Sequence, residues 1–94
     1  FKKNENHMTQ KAMTKDEIFV LKLYELAMQS GTPYRQIDCL EVAKAIGQNT
    51  KGAQVIARDL AQANFIKKVE GNGVYLTDHG LKLVSQIIEQ QQKS

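Results

Sequence analysis

The chain has 94 residues, 41% hydrophobic and 24% charged, with a formal net charge of +3 and no tryptophan. This describes a single small folded domain with one modest core, and it excludes a disordered or membrane-embedded chain. No apolar run approaches the ~20 residues that cross a bilayer, and the polar amino end is unlike a signal peptide, so the cytoplasm is the expected location and no membrane partner is expected.

Residues Phe1 to Met13 are polar and aperiodic and are expected to form a disordered tail, with the domain proper over 14–94. His7 and Met8 have the pattern of a cloning junction, which makes Met8 the expected natural start, with Met13 or an internal fragment boundary as alternatives. Lys2, Lys3 and Lys11 read first as solvated tail charges and second as a basic arm for phosphates. Thr14 followed three residues later by Glu17 is a capping-box pattern, which predicts a helix to about Gln29, stopped by Gly31 and kept from resuming by Pro33. Its apolar residues Ile18, Leu21, Leu23, Leu26 and Ala27, with Phe19, Val20 and Tyr24 around them, cover more than one face. They are expected either to be wrapped by the other helices or to serve between subunits.

A short extended segment is expected over Tyr34 to Ile37. Asp38 with Glu41 is a second capping-box-like start, for a short helix that buries Leu40, Val42, Ala43 and Ile46 and ends at Gly47. The lone Cys39 has no partner for an internal disulfide. It reads as a small core residue beside this helix start, with no cation or histidine nearby to activate the thiol. After a tight turn at Gln48 and Asn49, a third helix is predicted from about Thr50 to Ala63, capped by Asn49 and ended by Asn64, a residue that tolerates the left-handed conformation. At about 100° per residue, Ala53, Ile56, Ala57 and Leu60 fall on one side, and Lys51, Gln54, Val55, Arg58 and Gln62 on the other. Gly71, Asn72 and Gly73 then signal a tight hairpin between Lys67–Glu70 and Val74–Thr77. Thr77 or Asp78 is expected to cap a last helix carrying Leu81, Val84, Ile87 and Ile88, with Gln90, Gln91 and Gln92 fraying.

The two helices joined at Gly47, Gln48 and Asn49, with the FIKKV strand and the YLTDHG segment after the hairpin, resemble a winged helix-turn-helix of the kind found in MarR-like bacterial regulators. The resemblance covers the chain from about Thr14 onward. It implies a mainly α fold with a small β-hairpin, an α+β class, in the order helix, short strand, helix, helix, strand, wing, strand, helix. It further implies a small DNA-binding protein acting in transcription regulation, with the third helix in the major groove and residues 67–77 as the wing.

On that reading Thr50, Lys51, Gln54, Val55 and Arg58 face the bases and phosphates. Gln54 suits adenine, Lys51 or Arg58 guanine or phosphate, and Val55 a thymine methyl. Lys67 and Lys68 meet the backbone beside the wing, and Asn72 at its tip approaches the minor groove. The partner is double-stranded DNA, and a homodimer through the first and last helices is expected, which sets two reading helices about one DNA turn apart. The alternative is a winged-helix protein–protein interaction module that never meets DNA. Lys51, Gln54, Arg58 and Gln62 would then be the solvated side of an amphipathic helix.

Three features depart from the MarR-like pattern. Gln48 stands where an aliphatic residue is usual, Gly52 weakens the helix by ~1 kcal/mol relative to alanine, and Val55 occupies a position that is often basic. Charge is distributed unevenly. Residues 49–73 carry four Lys or Arg against two Asp or Glu, and residues 14–48 carry four against five. No metal-ligand cluster, phosphate-binding glycine loop or nucleophile with a base is present in the sequence, so neither catalysis nor a cofactor or metal is expected. His7 lies in the tail, and His79 reads as a surface or capping residue at the start of the last helix.

Overall fold

A computed structural model describes residues 13–92. The elements are α1 (Lys15–Met28), β1 (Ile37–Asp38), α2 (Cys39–Ile46), α3 (Thr50–Gln62), β2 (Ile66–Lys68), β3 (Gly73–Leu76) and α4 (Asp78–Gln92). The expected α+β class holds: the described residues form four helices and one small antiparallel sheet, whose strand order is β1-β3-β2. Most of the expected tail, including the proposed arm of Lys2, Lys3 and Lys11, lies outside the described residues. Met13, assigned to the tail from sequence, packs half-buried against the core.

Local signals account for the helix boundaries. The Thr14 hydroxyl accepts from the Glu17 amide at 3.1 Å while the Glu17 carboxylate accepts from the Thr14 amide at 2.9 Å, closing the capping box of α1. Asp38 caps α2 by accepting from the Leu40 amide at 2.8 Å, and Gly47 ends it in the left-handed region at φ 77°. α3 closes in a Schellman motif. The Phe65 amide donates to the Leu60 carbonyl and the Asn64 amide to that of Ala61, both at 3.0 Å, with Asn64 at φ 67°. Glutamine is a good helix former, and α4 runs through Gln90 and Gln91 to Gln92 rather than fraying there.

The core lies between the helices and the inner face of the sheet. α1 contributes Phe19, Val20, Leu23 and Ala27, all at 0% exposure, and packs on α2, α3 and α4. Its buried face is therefore centred on Phe19, Val20 and Leu23, whereas Ile18, Leu21 and Leu26 are half-buried. A helix that is apolar on nearly every side does not declare in sequence which side its neighbours will cover. Val84 and Ile87 of α4 are buried, and Leu81 and Ile88 are half-buried. Part of the apolar surface that motivated a subunit contact, Val84 included, is spent inside the chain, while Leu81 and Ile88 stay half-buried.

β1 differs from its expected position. It starts at Ile37 rather than Tyr34, because the pairs it makes with β3 are Ile37 with Val74 and Asp38 with Gly73. Upstream, the Tyr34 amide donates to the Thr32 hydroxyl at 3.2 Å and the Tyr34 hydroxyl donates to the Asp78 carboxylate at 2.7 Å. These contacts commit Tyr34 to a turn and to the start of α4, not to a ladder.

Candidate nucleic-acid interface

α3 is amphipathic in the sense its periodicity requires. Ala53, Ile56, Ala57 and Leu60 are buried, whereas Lys51, Gln54, Val55, Arg58 and Gln62 are exposed. Asn49 starts the helix by accepting from the Gly52 amide at 2.8 Å. Gly52 also has a packing role. A Cβ at this position would come within 2.6 Å of the Gln48 side-chain oxygen, so the glycine and the unusual Gln48 fit each other.

The β2–β3 hairpin lies beside the outward face of α3. Lys67 pairs with Tyr75 and Lys68 with Val74. Side chains alternate along a strand, so the two lysines point to opposite faces of the sheet. Lys68 shares its face with the buried Val74 and overhangs α3, while Lys67 points away with Tyr75. At the turn Gly71 adopts φ 80°, and the Val69 amide closes the loop on the Gly73 carbonyl at 2.9 Å. The Asn72 carbonyl accepts from the Cys39 amide at 2.7 Å, tying the turn to the start of α2. This hairpin is short and anchored, not a projecting arm.

Between α3 and the hairpin lies an open cleft of about 480 Å³, whose walls include Lys51, Gln54, Val55 and Arg58 from the helix and Lys68 and Asn72 from the hairpin. Six of the eight residues singled out in the sequence are thereby brought together. Three of the six are cations, and among the described residues no Asp or Glu lines the cleft. Thr50 and Lys67 are not part of it. Thr50 lies on the opposite flank of α3, in a groove shared with Asp38, Glu41, Lys44, Gln48 and Asn49, and Lys67 is turned away by strand alternation.

The two flanks of α3 thus differ in sign, and an anion is favoured on the hairpin side. Arg58 has a loose exposed pair with Asp59 at 3.8 Å, which contributes little. Asp59 also acts on Asp16, whose carboxyl is held above its ordinary value by partial burial, then by Asp59 and Glu17.

The floor of the cleft includes Cys39, Ala57, Gly71 and Val74, none of which was assigned to the site from sequence. Only the long-range pairing of β1 with β3 brings Cys39 there, and no local pattern announces it. Its thiol is buried and pointed at the Ala53 carbonyl at 3.8 Å. Burial pushes the thiol pKa up, Asp38 adds to this, and Lys68 offsets only part. The group therefore stays protonated at neutral pH and behaves as a core residue.

Among the described residues no group of three or more His, Cys, Asp or Glu side chains could hold a metal ion, and no helix is long and apolar enough to cross a membrane. His79 is exposed and stacks on Phe65, ring centroids 4.6 Å apart. No family model, curated protein or solved structure matches the chain.

Proposed function

We propose that this chain is a small winged-helix domain that binds double-stranded DNA and acts as a non-enzymatic transcriptional regulator, with α3 in the major groove and the β2–β3 hairpin beside it as a short wing. The observation that carries the reading is the convergence of Lys51, Gln54, Val55, Arg58, Lys68 and Asn72 on one open, carboxylate-free cleft. A duplex reader needs donors, acceptors and an apolar group facing base edges, with cations at the margins for phosphate. This cleft combines all of them. The element order and the antiparallel pairing of β1, β3 and β2 support the winged-helix description. Thr50 and Lys67, both outside the cleft, are omitted from the contact surface.

A second reading, an interaction module for a protein partner, draws on the hairpin itself. Its turn carries Glu70 and no arginine and is tied down through the Asn72 carbonyl, so it gives a minor groove little to hold.

Salt dependence separates the two. With Lys51, Arg58 and Lys68 each neutralising one phosphate, the slope of log K against log salt is about −2.7, a loss of about 40-fold between 50 and 200 mM. Fluorescence anisotropy on a random-sequence duplex measures it. A homodimer through α1 and α4, built on the half-buried Leu81 and Ile88, doubles the slope to about −5.4. Absence of any binding at low salt removes the DNA reading and leaves the interaction module.

A further inference from the structure

We propose that the cleft reads a methyl group in the major groove, with Val55 as the residue that sets a preference for thymine-bearing A·T pairs; this rests on the duplex-binding reading above. Among the described residues the large apolar side chains that stand exposed are Met28, Tyr34 and Val55, and Val55, at 42%, is the one on α3. It borders the cleft beside Lys51, Gln54 and Arg58. A β-branched residue is a poorer helix former than lysine, glutamine or alanine, and its methyls gain nothing from facing water. Its rigidity does suit a contact, because in a helix valine keeps one dominant rotamer and loses little freedom when a surface closes on it.

The surroundings indicate what that surface is. Lys51 lies one turn before Val55 and Arg58 one turn after, all three exposed. Cations on both sides of Val55 suit phosphates at the margins of a groove, which leaves the residue between them facing base edges. The apolar group that a base pair offers in the major groove is the C5 methyl of thymine, which cytosine lacks. Gln54, exposed beside Val55, has the donor and acceptor that match adenine N6 and N7. Both neighbours therefore favour the same pair. A protein-docking patch would instead surround its anchor with further exposed apolar side chains, whereas the exposed residues one turn from Val55 on the helix are Lys51, Arg58 and Asp59.

The test compares binding to poly(dA-dT) and poly(dA-dU), which differ in the thymine methyl. The wild-type chain is expected to bind poly(dA-dT) about fourfold more tightly, the equivalent of burying one methyl-sized group. Val55→Ser, which puts a hydroxyl in place of the methyls, should bind both equally while keeping the salt dependence of binding. Poly(dI-dC) against its 5-methylcytosine form moves the same methyl onto another base and should show the same preference. Equal wild-type affinity within either polymer pair overturns the proposal and leaves duplex binding standing, as does a preference that survives in Val55→Ser. Failure to bind any of the polymers at low salt overturns the duplex reading together with it.

Discussion

α3 is joined to the rest of the fold at both ends through a closely packed glycine, and the two joints differ in what that glycine touches. At the amino end Gly52 faces the Gln48 side-chain oxygen, the tip of a flexible group. At the carboxyl end the chain turns through Asn64 into Phe65, and Gly80 of α4 packs against the Phe65 carbonyl, so that a Cβ there would be driven into the main chain. Thr77 reinforces this second joint. Its hydroxyl donates to the Asn64 carbonyl at 2.6 Å and also faces the Phe65 carbonyl at 3.2 Å, while accepting from the Gly80 amide at 2.9 Å. The joint near Lys51 and Gln54 can therefore yield, whereas the joint far from the cleft is clamped backbone to backbone.

The largest effect that can break this contrast is Gly80→Ala. With no side chain to move aside, overpacking against main chain should cost about 3 kcal/mol or more, lowering the thermal midpoint by at least about 12 °C. A loss below 1 kcal/mol in calorimetry would show the far joint to be as pliant as the near one.

Thr77→Val comes next. It keeps the shape but removes the cap on the Gly80 amide and the bond to the Asn64 carbonyl, for about 1–2 kcal/mol in urea denaturation. Thr77→Ser, which retains the hydroxyl, should recover most of that.

The smallest effect should be Gly52→Ala, with the opposite sign. Alanine is the better helix former by ~1 kcal/mol, and displacing the end of Gln48 offsets part of this, leaving a change between zero and a gain of about 1 kcal/mol. In a Gln48→Ala background more of the gain should appear, with the Asn49 side-chain oxygen still 3.3 Å from the added Cβ. A destabilising Gly52→Ala would instead make the near joint rigid and tie Gln48 to the geometry of the cleft.

The Gln48–Gly52 pair shows how far the linear chain can be read. Each is a separate departure from the MarR-like pattern, and only the structure sets the Gln48 side-chain oxygen over Gly52. Lys67 and Lys68 give a similar case. As neighbours in sequence they look equivalent, yet opposite Val74 or Tyr75 they are not, and the register that separates them is set by a strand several residues further on.

By itself the sequence determined the features that arise within a turn or two of helix. These are the capping box at Thr14, the stops at Gly47 and Asn64, the Asn49 cap, and the division of α3 into a buried face and an outward face containing Lys51, Gln54, Val55 and Arg58. Each follows from backbone groups or side chains a few residues apart, so local chemistry suffices. Tertiary structure alone decided which side of α1 is buried, where β1 begins, that Cys39 floors the cleft, that Thr50 and Lys67 stand apart from it, and that Gly80 locks onto Phe65. Those outcomes depend on pairings between segments distant in sequence, where many weak contacts must be satisfied together and no single residue carries the choice.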